Sequence, residues 1–263
     1  MIQPPKDLRR SEKLDAFDRL LTMMDELRLN CPWDKKQTIE SIRHLTIEEV
    51  YELSDAIIEQ DLEEVKKEMG DIMLHLVFYA RIASEIEAFD IADVIDQLIE
   101  KMVRRHPHVY GDVEAQDEEA VKKNWEQIKL QEGKKDKRVL EGVPSSLPAM
   151  TKAVRIQSKA RGVGFDWDNK DQVWEKVHEE LEEFKAAKTP EHQEEEFGDL
   201  LFSLINYARF VDIDPEQALE KTNKKFIYRF NYLEEEAKKD GKALGKMTLE
   251  EMDAYWNAAK GKN

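Results

Sequence analysis

Cysteine, glycine and proline are scarce in this chain, and long apolar runs are absent from it. The single cysteine, Cys31, excludes a disulfide framework within the chain and favours a reducing compartment. Only 10 glycines and 8 prolines occur in 263 residues, and no alternating strand pattern persists, so the sequence predicts an all-α protein. No apolar run is long enough for a membrane span, and the first residues lack a signal-peptide apolar region. We therefore expect a soluble, cytoplasmic protein.

The charge balance is strongly acidic, with a formal net charge of −16 at pH 7. Such a surface repels the phosphates of nucleic acids, which argues against a nucleic-acid-binding role. An anionic nucleotide could still bind where metal ions and local Lys or Arg side chains reverse the field. The length allows one or two domains.

Four acidic residues in the second half of the chain have the spacing of two helix faces. Glu180 and Glu183 lie three residues apart, as do Glu196 and Asp199, so each pair falls on one side of a helix. Two antiparallel helices would bring the four carboxylates together, and carboxylates at close range stay ionised only when cations hold them. The apolar stretch 200–208 is predicted to carry these acids into the core. The pattern indicates a site for a hard divalent cation.

The same pattern occurs in the first half of the chain, at Glu49, Glu52, Glu68 and Asp71. The segment 70–81 aligns on 198–209 without a gap, and the two segments share Gly, Asp, Leu, Tyr, Ala and Arg. Each copy also has a Trp-Asp pair before it and a Lys-x-x-x-Arg motif after it: Trp33-Asp34 with Lys101 and Arg105, and Trp167-Asp168 with Lys225 and Arg229. A solvated acidic face that arose by chance would not carry these features with it. The sequence therefore predicts an internal duplication, with a period too long for a solenoid.

The Glu-Glu-x-x-Glu … Glu-x-x-Asp signature resembles that of the all-α nucleoside triphosphate pyrophosphohydrolases, and the tandem arrangement is similar to the MazG family within them. Further motifs of that family occur along nearly the whole chain: Cys31-Pro32-Trp33-Asp34, Arg104-Arg105-His106-Pro107-His108-Val109, Asn124-Trp125-Glu126-Gln127-Ile128-Lys129 and Val163-Gly164-Phe165-Asp166-Trp167. Because these motifs are spread so widely, the resemblance is specific.

The resemblance implies hydrolysis of nucleoside triphosphates, ribo- or deoxy-, to a nucleoside monophosphate and pyrophosphate. It implies Mg²⁺ as the cofactor, with Mn²⁺ as a substitute; Mg²⁺ held by carboxylates can orient and deprotonate water and neutralise developing charge. Its residue roles carry over as follows: metal ligands Glu180, Glu183, Glu196 and Asp199; phosphate-binding residues Lys225 and Arg229; substrate-holding residues Lys176, Asn223 and Trp256; and Glu179 as a base or a support for the ligands. For Trp256, stacking on the nucleoside and a place in the core or an interface are both open.

The two copies differ at substrate-contacting positions. When the first copy is laid on the second, Leu45 falls at Lys176 and Ile99 at Asn223, so two polar contacts are replaced by apolar side chains. We therefore expect the main activity in the second copy. The first keeps Glu49, Glu52, Glu68 and Asp71 as weaker metal ligands, and it either binds metal, acts weakly or mainly builds a dimer. The predicted domains are 1–112 and 147–263, joined by a linker at 113–146 with a helix and a charged loop.

Other functions remain open at this stage. Within the same chemistry, the alternative is a house-cleaning enzyme that is narrow for one non-canonical or deoxy nucleotide. A non-enzymatic helical adaptor is the alternative outside it. A di-iron carboxylate bundle needs two Glu-x-x-His motifs, and this chain has one, Glu175 to His178. The family resemblance implies a homodimer, whose site could be completed by the partner chain, and a regulatory protein partner is compatible with it.

The periodicity predicts helices over nearly the whole chain. Their expected ranges are 13–29, 62–86, 91–105, 117–129, 148–161, 170–188, 190–211, 214–239 and 249–258. A further helix carries Glu48, Glu49 and Glu52, with Thr46 as its N-cap and Glu49 at the capping-box position, which would compete with metal binding by Glu49. His106 and His108 are interpreted as helix-end residues rather than metal ligands. His192 stands where a Lys would suit a phosphate better.

Overall fold

The computed structural model describes residues 7–111 and 138–261, with residues 117, 121, 124, 125 and 128 between them. Throughout this part of the chain the regular structure is helical, which confirms the predicted all-α class. The chain divides into two compact units, Met1–Val121 and Lys122–Asn263. We call these the first and the second unit. Most of the predicted linker 113–146, including its helix 117–129, lies outside the described residues, so the predicted domain bounds stay a prediction.

The first unit is built around a hairpin of two long helices. Its helices are α1 (Arg10–Asn30), α2 (Ile39–Glu59), α3 (Leu62–Glu85), α4 (Ile91–Arg105) and the short α5 (Pro107–Tyr110). Gln60 adopts a left-handed conformation after α2, and Asp61 caps α3, so two residues reverse the chain. The core joins α1, α2 and α3 through Met24, Ile42, Val77, Phe78 and Ile82.

The second unit contains a corresponding hairpin. Its helices are α6 (Ala149–Arg161), α7 (Lys170–Ala186), α8 (Pro190–Phe210), α9 (Pro215–Lys239) and α10 (Leu249–Ala259). The α7–α8 pair packs as closely as α2–α3, α6 packs on α8, and α10 packs on α9. Buried Val173 and Val177 of α7 and Ile205 of α8 form the interior of the hairpin. Almost all of these helices begin and end within one or two residues of their predicted limits.

The predicted start of α2 is wrong. Thr46 lies inside the helix, where its hydroxyl donates to the Ile42 carbonyl and shares a hydrogen bond of 2.8 Å with the Tyr79 hydroxyl. The N-cap is Thr38, whose side chain and that of Ser41 close a reciprocal capping box. Serine can close this box as glutamate does, and the helix therefore starts eight residues earlier. Glu49 is thus relieved of capping and stays available for the acidic cluster.

The apolar segment after Asp199 is also less buried than predicted. Ser203 and Ile205 are buried, but Leu201, Phe202 and Leu204 are exposed. The exposed apolar face continues on α9, at Phe226, Ile227 and Phe230, and α4 has similar residues in the first unit. One face of α8 thus fills the core of its unit, and the other is an apolar surface. None of the described helices combines the length and apolarity that a membrane span requires.

Candidate active site

Three of the four predicted carboxylates of the second unit meet between α7 and the N-terminal part of α8. Glu180 and Glu183 come from α7 and Glu196 from α8, and one oxygen of each lies within 4.8 Å of the others. The side-chain oxygen of Asn169 caps α7, and Thr189 caps α8 three residues after α7 ends. This short connection sets the register that places the second turn of α8 beside the carboxylates of α7.

The fourth predicted carboxylate, Asp199, is not part of this group of three. It lies one turn further along α8, where it lines a cavity together with Glu180. Desolvation, followed by the charges of Glu196 and Glu180, raises the pKa of Glu183, although the residue as a whole is exposed. The electrostatic cost of bringing these carboxylates together is what a cation would relieve.

Lys176 is the cation closest to the cluster. Its Nζ lies 2.6 Å from a carboxylate oxygen of Glu179 and 2.7 Å from one of Glu180. The hydrogen bonds that it donates to Glu179 and Glu180 raise the pKa of Lys176 well above the usual range, so the side chain stays charged. Glu179 itself is exposed and pairs with Lys176, outside the group of three carboxylates.

His192 contacts the carboxylate of Glu196. Its Nε2 lies 2.8 Å from Oε1 of Glu196, one helical turn further along α8. The sequence did not predict this contact, because the spacing of residues along α8 does not show which side of the helix faces α7. In the structure it holds the orientation of Glu196 from the solvent side.

A cavity of about 530 Å³ opens beside the carboxylates. Lys176, Glu180 and Asp199 form one part of its wall, and apolar and aromatic side chains form most of the rest. Its other lining residues are Leu140, Ile156, Gln157, Ala160, Gly164, Phe165, Asp166, Trp167, Val173, Phe202, Ser203, Asn206 and Arg209. Arg209 donates to Asp166 at 2.9 Å and thereby ties the loop before α7 to α8.

The predicted substrate residues of α9 and α10 form a separate group. Trp256 packs on Phe226 with ring centroids 4.9 Å apart, and the Arg229 guanidinium lies 5.8 Å from the centroid of the Trp256 ring. Asn223 donates to Glu220 at 3.2 Å, and Lys225 is exposed. None of these residues lines the cavity beside the carboxylates, so their roles toward phosphate and base stay predictions.

The first unit holds a second cluster of three carboxylates. Oxygens of Glu49, Glu68 and Asp71 lie within 4.8 Å of one another. Glu68 is 3% exposed, and its Oε2 has no hydrogen-bond partner, although Lys67 lies 2.9 Å from its Oε1. Burial and the neighbouring Glu68, Asp71 and Glu52 raise the pKa of Glu49. Glu52 lies outside the group of three but close enough that the charge of Glu68 raises its pKa.

Both clusters fit a divalent cation. Each offers three carboxylate oxygens at distances that one ion can bridge, and hard cations such as Mg²⁺ prefer such oxygen ligands. In the first cluster the Oε2 of Glu68 is buried without a hydrogen-bond partner. In both clusters desolvation and neighbouring carboxylates raise a pKa, that of Glu49 and that of Glu183, and a bound cation would offset this crowding of negative charge. The chemistry of the donor set therefore suits a divalent cation.

The cavity wall is the part of the site that the sequence did not predict. Phe165 and Trp167 belong to a motif that was recognised, but nothing in the pattern assigned them to a cavity. Gln157 is buried on α6, and Asn206 lies on α8. The sequence signal for Gln157 is its position: it is a polar residue on the helix face of α6 that is otherwise apolar and buried.

Comparisons with known proteins identify the family of this chain. The MazG nucleotide pyrophosphohydrolase domain matches residues 37–110. The chain is 48% identical to the nucleoside triphosphate pyrophosphohydrolase/pyrophosphatase MazG of Thermotoga maritima, over 93% of this chain and 96% of that protein. It is 40% identical to the nucleoside triphosphate pyrophosphohydrolase of Escherichia coli K12, over 94% and 98%. It is also 48% identical to the uncharacterized protein YabN of Bacillus subtilis, over 95% of this chain and 53% of that protein.

These relatives match along nearly the entire chain, well beyond the segment of the domain match. The carboxylate signature, the helical hairpins that carry it and this extended identity lead to one assignment. The chain belongs to the MazG family of nucleotide pyrophosphohydrolases.

Proposed function

We propose that the second unit hydrolyses nucleoside triphosphates to a nucleoside monophosphate and pyrophosphate, with Mg²⁺ as its cofactor and Mn²⁺ as a substitute. The observation that carries this proposal is the continuity of two features: a cluster of three carboxylates and an apolar cavity of about 530 Å³ that shares Glu180 with it. The relatives named pyrophosphohydrolases support the reaction class. Mg²⁺ held by the cluster would bind the triphosphate, and the apolar cavity would bind the nucleoside.

Glu180, Glu183 and Glu196 would hold Mg²⁺, with Asp199 available one turn further along the same helix. Bound Mg²⁺ would activate water and neutralise negative charge that develops on the phosphates. His192 and Lys176 orient Glu196 and Glu180. Because Lys176 also lines the cavity, its ammonium is placed to bind a phosphate oxygen once a ligand enters.

The nucleoside would occupy the cavity. Phe165, Trp167 and Phe202 offer aromatic surface for a base, and side chains at the cavity edge supply polar contacts. Ligand pockets typically combine such apolar walls with a few polar groups that set orientation. A narrow, house-cleaning substrate range is the alternative within the same chemistry, and it would be decided by this wall.

We propose that the active form is a homodimer. The apolar face of α8 and the exposed Phe226, Ile227 and Phe230 of α9 are surfaces that a second copy would cover. Lys225 and Arg229, the predicted phosphate-binding residues, are on α9, so contact between α9 and a partner's site would complete the set that the family resemblance implies. Gel filtration that shows an active monomer at assay concentration would contradict the dimer.

The test of the reaction is product analysis of purified protein with a panel of ribo- and deoxynucleoside triphosphates. We expect pyrophosphate and a monophosphate in Mg²⁺ or Mn²⁺, and no product after EDTA treatment. Orthophosphate and a diphosphate as products, or turnover without a divalent ion, would contradict the proposal. The single cysteine and the nucleotide substrate favour a cytoplasmic location.

A further inference from the structure

The segment that precedes α6 supplies a part of the cavity wall that does not come from the α7–α8 hairpin. Residues 138–148, which we call the strap, form turns ahead of the helix. In the first of these turns the Glu141 N–H donates to the Arg138 carbonyl at 2.9 Å. Leu140 lies within this turn and lines the cavity beside the carboxylates. The strap therefore contributes one apolar residue to the space in which a nucleoside would bind.

Lys159 of α6 holds the strap on both sides of Leu140. Its Nζ donates to the carbonyl oxygen of Val139 at 3.2 Å and to that of Glu141 at 3.3 Å. Hydrogen bonds from an ammonium group are charge-assisted and stronger than those between neutral groups. Lys159 is half-buried and is not itself part of the cavity lining. Its ammonium can therefore affect the cavity through the backbone of the strap.

Leu140 retains apolar surface that a ligand could cover. It is 47% exposed, although it lies at the edge of a largely apolar cavity. Burial of apolar surface favours binding roughly in proportion to the area removed from water. A half-exposed side chain on a turn keeps its place only as well as the turn itself is held. The two hydrogen bonds of Lys159 are the contacts that hold this turn against α6 at Leu140.

We propose that Lys159 is a positioning residue for nucleoside binding, which holds the strap so that Leu140 forms one wall of the cavity. This inference rests on the proposed function. An apolar wall contacts a base through surface area and not through hydrogen bonds, so it strengthens binding without selecting one base. Leu140 has no group that acts on a phosphate, so its contact would stabilise substrate and transition state equally. Loss of such a contact raises KM and leaves kcat unchanged.

Lys152 provides a matched comparison on the same helix. Its Nζ donates to the carbonyl oxygen of Ser145, further along the strap, at 2.8 Å. Neither Lys152 nor Ser145 lines the cavity. Both lysines thus tie the strap to α6, but Lys159 does so at the cavity residue and Lys152 does so away from it. Replacement of either removes a hydrogen-bonded cation, and the proposal predicts different kinetic results for the two.

The experiment is a double-mutant cycle, measured by pyrophosphate release from ATP, GTP, CTP and UTP. We expect Lys159→Met and Leu140→Ala each to raise KM by about three- to tenfold on all four nucleotides, with kcat within about twofold of the wild type. The double variant should be no worse than the single ones, because both changes remove the same contact. Lys159→Arg, which keeps a cation with several donors, should stay close to the wild-type KM.

Lys152→Met is the control, and its KM should stay within about twofold of the wild type even if its thermal stability falls. If Lys159→Met does not fold, Lys159→Ala takes its place. An unchanged KM in Lys159→Met or Leu140→Ala, additive effects in the double variant, or an equal rise in Lys152→Met would each overturn the proposal. So would a loss confined to kcat. Absence of pyrophosphate from every nucleotide with the wild type would instead contradict the proposed function, so the two failures are distinguishable.

Discussion

The two units build similar carboxylate clusters but balance their charge from opposite helices of the hairpin. In the second unit the cation is Lys176, one turn before Glu180 on α7. The corresponding position in the first unit is Leu45. There the cation is Lys67 of α3, next to Glu68 in the chain and also paired with Glu64.

This difference decides what each charge can contact. The Lys176 side chain is part of the cavity wall, and its ammonium pairs with Glu180, which also lines the cavity. The Lys67 side chain is 60% exposed and lies between two carboxylates of its own helix. Both units hold three clustered carboxylates. In the second unit a cavity lined by Glu180 and Lys176 adjoins them, whereas the cavity of about 160 Å³ in the first unit has none of the clustered carboxylates in its lining.

Among changes outside the carboxylate clusters, substitution of Lys176 has the largest predicted effect. Lys176→Leu copies the first unit's Leu45 into the second unit, and we expect kcat/KM to fall about 10- to 100-fold, because a charge-assisted contact to phosphate is lost. Steady-state kinetics on the best substrate of the panel measure this. The reciprocal variant, Leu45→Lys, should bring no gain, because the cavity of about 160 Å³ described in the first unit has neither Leu45 nor the clustered carboxylates in its lining. A Lys176→Leu enzyme within twofold of the wild type would contradict this role.

Metal titration sharpens the comparison by separating binding from hydrolysis. We expect calorimetry with Mn²⁺ to show a site in each unit. Glu196→Gln should weaken the site of the second unit, and Glu68→Gln that of the first, by about tenfold or more, since each change removes a charged ligand. If Glu68→Gln leaves both sites unchanged, the first cluster does not bind metal, and its similarity to the second is one of side-chain placement alone.

The ion pairs that support each unit give the smallest predicted effect. Arg28 donates to Glu85 through Nε at 2.8 Å, and this hydrogen bond lowers the pKa of Glu85. A lowered carboxylate pKa stabilises the fold above the unfolded value of about 4.3, and this stability is lost as the pH falls through the folded value. We expect Glu85→Gln to lower the free energy of unfolding by about 1 kcal/mol at pH 7, with a smaller difference near pH 4.

Denaturant unfolding at the two pH values measures this, and activity provides the contrast. Glu85 is in the first unit and lies outside the cavity, so its variant should keep normal kinetics. Asp166→Asn, which weakens the Arg209 pair in the cavity wall, should alter both stability and kcat/KM. An equal effect of both variants on kinetics would break the distinction between the two units.

The helix limits were predicted well because the residues that start and end a helix, such as N-caps and prolines, lie next to it in the sequence. The limits of α4 follow from the Asp90 cap and Pro107, and the limits of α8 from Thr189-Pro190 and the end of its apolar stretch. Thr46 was misassigned because several residues in this segment suit a cap, and only packing shows that α2 begins at Ile39. Cap preference alone does not decide between such candidates.

The carboxylate cluster was largely predictable, and the cavity was not. Spacing of three residues placed Glu180 with Glu183, but whether Glu196 or Asp199 completes the group depends on the register of α8 against α7. The cavity wall collects residues from α6, the loop before α7, α7 and α8. Such a wall depends on tertiary packing, for which a single sequence gives no spacing rule.

The measurement that tests the central claim most directly is pyrophosphate release by Glu196→Gln and Glu68→Gln, assayed beside the wild type with Mg²⁺. The claim is that the second unit hydrolyses the substrate and the first does not. We expect Glu196→Gln to lose at least about a thousandfold in kcat, the scale of removing a group that stabilises transition-state charge, and Glu68→Gln to stay within about threefold of the wild type. Equal losses in both variants, or loss in Glu68→Gln alone, would contradict it.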